Sequence, residues 1–256
     1  MERRTEMPDR FDLTDKVSLV TGGSRGLGRA MVLGFAERGA DVIIASRKLE
    51  SCESLAEEVR ERYGRRALPV AVNVGDWDQC DALVETAYAE FGRVDVLVNN
   101  AGLSPVYPSV DKVSEDLYDK VFGVNLKGPF RLSATIGTRM VAAGAGSIIN
   151  ISSIASIRPD ETVLPYAAAK AGLNALTVGL ARTLGPAVRV NAIQCGVFRT
   201  DITRAWTPEM FDIAAAATPL GRVGDASEII GTAVYCASDA SSYTTGSVIR
   251  VDGGVL

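Results

Sequence analysis

The sequence predicts an α/β fold: a single doubly wound domain with about seven parallel strands and helices on both faces. Three observations predict it. Short β-rich runs alternate with longer amphipathic stretches along nearly the whole chain, the pattern of right-handed β–α–β crossovers. The strand runs are almost continuously apolar, as strands covered on both faces are. No linker, repeat or composition break interrupts the 256 residues, a length that one large α/β domain fills.

The elements follow in order. Residues 1–12 are polar and lack the apolar run of a signal peptide, so a disordered arm is expected before a domain over 13–256. Val17–Thr21 reads as the first strand, and Leu27–Arg38 as a helix closed by Gly39. Asp41–Ser46 is a second strand, and Leu49–Tyr63 a helix with Glu and Arg on its outer face. Ala67–Asn73 is a third strand; Asp76 can cap a helix that runs to about Phe91. Val94–Val98 is a fourth strand and Ser147–Ile151 a fifth. Pro165–Leu184 is a long helix rich in Ala and Gly, Val188–Ile193 a strand, Asp225–Ser238 helical, and Ser247–Val251 a final strand. Leu103–Lys120 and Phe198–Val223 have no clear place in the sheet. Long excursions in compact domains often serve as lids or binding loops.

Composition narrows the chemistry. Net charge is −4 and no basic block stands out, so nucleic acid is not an expected partner. No apolar run approaches the length of about 20 residues that spans a bilayer. There is no histidine, so proton chemistry falls to Tyr, Lys, Cys or carboxylates, and no metal site is expected. Cys52, Cys80, Cys195 and Cys236 are far apart without a C-x-x-C pair, which suits free thiols and a cytoplasmic location.

The first strand leads into Thr21-Gly22-Gly23-Ser24-Arg25-Gly26-Leu27-Gly28. Glycines between a strand and a helix allow a tight turn and close approach of backbone to a pyrophosphate. The helix N-terminus then offers free N–H groups and the positive end of its dipole. Gly22, Ser24, Arg25, Gly26, Leu27 and Gly28 are therefore candidate cofactor-binding residues of a Rossmann-like domain; the alternative is a turn needed only for packing. Ser46, Arg47 and Lys48 end the second strand without a carboxylate. Arg and Lys suit a 2′-phosphate where Asp or Glu would suit a free 2′-hydroxyl. NADP(H) is the expected cofactor, with NAD(H) less favoured.

Leu164-Pro165-Tyr166-Ala167-Ala168-Ala169-Lys170 puts a phenol and an ammonium one helical turn apart on one face. A nearby cation favours the ionised phenol, so the pair can be a tuned acid/base. Spacing alone equally allows a surface tyrosine beside a lysine.

Six motifs decide between these readings: TGGSRGLG at 21–28, NNAG at 99–102, Asn125 in VNLKG, ISS at 151–153, YAAAK at 166–170 and VDGG at 251–254. With them the chain resembles the short-chain dehydrogenase/reductase family, including its 3-oxoacyl-carrier-protein reductases and gluconate 5-dehydrogenase-like members. The resemblance implies a catalytic set of Asn125, Ser153, Tyr166 and Lys170. Ser153 would orient the substrate oxygen. Tyr166 would be its acid or base. Lys170 would lower the phenol pKa and hold the nicotinamide ribose, and Asn125 would hold a water leading from Lys170 to solvent. It further implies cofactor contacts at Asn73, Val74, Asn100, Ala101, Gly102, Tyr166, Lys170, Gly196, Phe198 and Thr200. The substrate would be a small-molecule ketone or secondary alcohol. Helices near 126–143 and 165–184 would pack across one interface, and a second near the C-terminal VDGG would complete a homotetramer. Two positions depart from the family pattern: Asn73 stands where many members have Asp, and Cys195 where Pro is usual. A non-catalytic NADP(H)-binding sensor or scaffold, and a dehydration or epimerisation on the same scaffold, remain alternatives.

Overall fold

The computed structural model describes residues 9–200, 203 and 206–255. Residues 1–8 of the expected arm lie outside the described residues. Residues 9–12 form a turn, and the Arg10 carbonyl accepts from the Ala240 N–H at 3.0 Å.

The chain runs β1 (Val17–Thr21), α1 (Gly26–Glu37), β2 (Asp41–Ser46), α2 (Leu49–Tyr63), β3 (Ala67–Ala71), α3 (Trp77–Phe91) and β4 (Val96–Asn99). It continues through α4 (Glu115–Phe122), a π-helical stretch (Gly123–Lys127), α5 (Gly128–Ala143), β5 (Gly146–Ser153), α6 (Leu164–Leu184) and β6 (Val188–Cys195). Last come β7 (Phe198–Arg199), α7 (Pro208–Ala216), β8 (Gly224–Asp225), α8 (Ile230–Ala237) and β9 (Val248–Val251). Seven strands form one parallel sheet in the order β3-β2-β1-β4-β5-β6-β9, while β7 and β8 pair separately. This is the doubly wound, Rossmann-like arrangement, and its strand order reverses between β1 and β4.

The apolar strands serve two cores. Val42 and Ile44 of β2 pack with Met31, Phe35, Leu55 and Ile229 on one face. Ile43 and Ala45, one residue out of phase, pack with Leu83, Leu132 and Ile136 on the other. Successive strand side chains alternate faces, so covering both faces makes every position apolar and erases alternation. Helix ends follow local chemistry. The Asp76 carboxylate accepts from the Gln79 N–H at 3.0 Å to start α3, and Gly92 at φ 73° ends it.

Several boundaries move in ways that matter for the site. β5 and β6 extend past the expected Ile151 and Ile193, so Ser153 and Cys195 lie opposite one another in register. The stretch 103–120 is irregular, then makes a short 3-10 turn at Val110–Lys112 and enters α4. The stretch 198–223 contains β7 and α7. The expected helix from Asp225 begins as a 3-10 turn over Ala226–Ile229, capped reciprocally by Asp225 and Glu228.

Candidate active site

The carboxyl ends of the parallel strands open into a cleft at the strand-order reversal, the place where this architecture leaves room for a ligand. The glycine turn forms one side. Gly22 (φ 61°) and Gly26 (φ 52°) occupy left-handed backbone that other residues avoid. A Cβ on Gly28 would sit 2.1 Å from the Gly22 carbonyl oxygen, so α1 approaches its own turn as closely as backbone allows. Asn100, just past the end of β4, locks the turn: its Nδ2 donates to the carbonyls of Thr21 and Gly22 at 2.9 and 3.1 Å. In return, Thr21 Oγ1 accepts from the N–H groups of Asn100 and Ala101 at 3.0 and 3.2 Å. Arg25 and Arg47 are exposed beside the turn, and neither makes an ion pair among the described residues.

Ser153, Tyr166 and Lys170 form the opposite wall. Ser153 ends β5 and accepts from the Ala155 N–H at 3.2 Å, starting a 3-10 turn. That turn is pinned by Ser156, whose hydroxyl donates to the Ser153 carbonyl at 2.6 Å. The same hydroxyl accepts from Asn174 of α6 at 3.0 Å and Gln194 of β6 at 2.8 Å. Tyr166 and Lys170 come from the first turns of α6. Lys170 is 3% exposed; its Nζ donates to the Ile151 carbonyl at 2.7 Å and stands 5.7 Å from the Tyr166 ring centre. Burial pulls the ammonium down to about 8, so it stays charged at neutral pH.

The electrostatics of the tyrosine differ from the expectation that Lys170 lowers its pKa. In the protein alone, burial dominates and pushes the phenol up to about 12, with the Ser153 hydroxyl pulling against it. Cys195 behaves similarly. Burial raises its thiol to about 12 despite the opposing charge of Lys170, so the wall carries it as a protonated thiol at neutral pH.

Asn125 lies behind this wall, fully buried in the π-helical stretch. Its Nδ2 donates to the carbonyls of Leu103 and Val121 at 2.8 and 2.9 Å, and its Oδ1 accepts from the Leu103 N–H at 3.3 Å. It thus stitches the wide helical turn to the segment that follows β4.

The cleft is a cavity of about 350 Å³. Of the residues singled out in the sequence, it is lined by Gly22, Arg25, Gly26, Leu27, Ser46, Arg47, Asn73, Val74, Asn100, Ala101, Gly102, Ser153, Tyr166, Lys170, Gly196, Phe198 and Thr200. Ser24, Gly28, Lys48 and Asn125 do not line it. Gly28 acts by what it leaves empty, and Lys48 is exposed at the start of α2. Sequence reasoning marked the segments that hold Ser104, Thr203 and Trp206 as binding loops without singling out these residues, and it did not single out Ser152 or Ile154. Ser152 is buried with its hydroxyl unpartnered; the ISS motif named it without separating it from Ser153. The others sit on irregular segments with no motif to mark them.

Known proteins share this architecture and these motifs. A family model described as "Enoyl-(Acyl carrier protein) reductase" matches residues 22–256. The 3-oxoacyl-(acyl-carrier-protein) reductase FabG of Thermotoga maritima is 39% identical over 245 residues, covering 95% of this chain and 99% of the relative. The 2-dehydro-3-deoxy-D-gluconate 5-dehydrogenase of Pseudoalteromonas atlantica is 39% identical over 251 residues, covering 97% and 98%. Among solved structures, a gluconate 5-dehydrogenase from Burkholderia cenocepacia in complex with NADP and tartrate superposes with a TM-score of 0.92. It is 34% identical and covers 96% of this chain and 97% of that one. A parallel sheet that reverses order beside a glycine turn, a Ser–Tyr–Lys wall facing it, and end-to-end similarity to oxidoreductases lead to one conclusion: the chain belongs to the short-chain dehydrogenase/reductase family.

Proposed function

We propose that the chain is an NADP(H)-dependent oxidoreductase that moves a hydride between the nicotinamide and a ketone or secondary alcohol, with Tyr166 as acid or base. One observation carries the reading: Ser153, Tyr166 and Lys170 line the same cavity as the glycine turn and Arg47. The residues present fit a dinucleotide. Gly22 and Gly26 make a cradle that side chains would fill or strain, and Arg25 and Arg47 offer two guanidinium groups at its rim. Their planar donors suit a ribose 2′-phosphate. Gly102, Ala101, Asn73 and Val74 would flank the adenosine half, and Lys170, Gly196, Phe198 and Thr200 the nicotinamide half. The relatives' names fit as well, since the Burkholderia structure holds NADP.

When bound, the nicotinamide supplies or accepts the hydride. The rest falls to this chain. Ser153 donates a hydrogen bond to the substrate oxygen and fixes its direction. Tyr166 gives that oxygen a proton during reduction or takes it during oxidation. A phenol at about 12 in the protein alone is protonated at neutral pH and so carries the proton that reduction needs. A positive charge entering the cleft would lower it and ease proton exchange with the substrate oxygen. Lys170 keeps its ammonium near the phenol through the Ile151 carbonyl. Ser104, Ile154 and Trp206 line the same cavity and would border the substrate.

Consumption of NADPH against a panel of ketones tests the proposal, with Tyr166→Phe alongside. Turnover should fall by roughly a hundredfold or more in the variant while NADPH still binds. Tight NADPH binding with no turnover across the panel would favour the sensor reading. A preference for NADH would overturn the role given to Arg47.

A homo-oligomer, a tetramer by family resemblance, belongs to the same proposal. Phe130 and Val141 of α5 and Val178 of α6 expose apolar surface, and β9 is an edge strand of the sheet. Light scattering behind a sizing column reads the mass directly.

A further inference from the structure

Helix α6 carries both Tyr166 and Lys170, yet its start lacks the usual cap. The residue before it, Val163, has no side-chain oxygen, and no side chain of its own neighbourhood caps the turn. A helix N-terminus leaves its first N–H groups without intrahelical partners. Pro165 removes one of these donors by having none. The Leu164 N–H finds its acceptor in a residue 57 positions away: the Tyr107 hydroxyl, at 2.9 Å. That hydroxyl donates its own hydrogen to the Glu161 carbonyl at 2.8 Å. Tyr107 is 8% exposed. One phenol therefore closes both ends of the Glu161–Leu164 turn and caps α6 from outside.

The placement has a consequence for Tyr166, two residues into the helix. Lys170, one turn further on, has its own anchor at the Ile151 carbonyl. Tyr166 has no side-chain bond to a backbone atom among the described residues; beyond the helix start, its phenol meets only the Ser153 hydroxyl. Tyr107 in turn stands three residues after Ser104, which lines the cavity. We propose that Tyr107 is a positioning residue that holds Tyr166 in place through its hydrogen bonds to Glu161 and Leu164, and so couples the segment after β4 to the proton-transfer step. This rests on the reductase reading above.

Tyr107→Phe keeps the ring and removes only the hydroxyl. It should lower kcat about tenfold, because misplacing a reacting group by a fraction of an ångström has effects of that order. KM for NADPH should change by less than about twofold, since uniform binding is untouched. In a Tyr166→Phe background, Tyr107→Phe should reduce the residual rate by less than about twofold, because groups acting through one another are non-additive. An equal loss in both backgrounds overturns the proposal.

Amide hydrogen exchange supplies a reading independent of turnover. In Tyr107→Phe, the backbone of residues 161–167 should exchange faster, with the later turns of α6 unchanged. Acceleration along all of α6, or none anywhere, overturns the clamp. A wild-type protein that reduces no ketone defeats the reductase reading, and the exchange experiment then decides the clamp by itself.

Discussion

The two sides of the cleft are built under opposite constraints. On the glycine-turn side, backbone touches backbone. Gly28 meets the Gly22 carbonyl, and Asn100 bonds to two consecutive carbonyls across the strand-order reversal. On the other side, α7 begins two residues after the cavity-lining Trp206 and buries none of its residues, and its Ile213 is 71% exposed. Close backbone approach allows one residue type at a position. An exposed helix allows many. The first side is therefore tightly constrained by its own backbone, while α7 is not.

The comparison breaks most sharply at Gly28. A methyl group there would overlap the Gly22 oxygen, and overpacking of this kind destabilises by about 1–3 kcal/mol. Gly28→Ala should weaken NADPH binding by about a hundredfold, read by fluorescence titration, and lower the melting temperature. If binding survives unchanged, the turn is far softer than its contacts indicate.

A smaller effect belongs to Lys170, on the wall opposite the glycine turn. Its folded value of about 8 lies below its ordinary 10.5, so the unfolded chain binds more protons between those values. The Lys170 contribution to stability therefore rises with pH from about 8 to about 10.5, as the buried ammonium is relieved of its charge. Tyr166 and Cys195 act in the opposite sense. Both are raised to about 12 from 10.0 and 9.0, so their contributions fall as pH climbs past those ordinary values. Denaturant midpoints of wild type and Lys170→Met, compared in a Cys195→Ala background so that the coupled thiol drops out, read the lysine. Their stability difference should move in favour of wild type above pH 8, by up to roughly 3 kcal/mol. A difference independent of pH would mean that Lys170 is not desolvated.

The smallest effect is expected at Ile213. Replacing an exposed residue by Ser should leave stability within about 0.5 kcal/mol and NADPH affinity unchanged, while redistributing kcat/KM among ketones. A loss of NADPH affinity would show that the α7 side also holds the cofactor.

Legibility in the sequence follows the same division. The seven strands and the glycine turn could be read because parallel strands covered on both faces must be apolar throughout, and because left-handed turns demand glycine. Asp41–Ser46 and Leu49–Tyr63 have the boundaries their patterns suggest. The ends of β5 and β6 were underestimated because Ser152, Ser153, Gln194 and Cys195 are not hydrophobic, although the sheet continues through them. Helix α4 was hidden by its short length and mostly polar surface. Tyr107 was invisible for another reason. Its partners are backbone atoms more than 50 positions away, and a backbone atom carries no residue identity for a sequence to display. Lys170 was legible as a charge beside a phenol, but burial, which governs both groups, depends on what surrounds them.

Helix α6 is fastened to the sheet at successive levels. Lys170 reaches the Ile151 carbonyl, Asn174 reaches Ser156, and Thr177 accepts from Asn150 of β5 at 2.9 Å. These bonds act like rivets between a beam and a deck. Segments that make no bond to the beam can be lengthened, shortened or exchanged over generations without loosening Lys170, whereas the segment that carries Tyr107 is tied to the beam's first turn and is not free in that way.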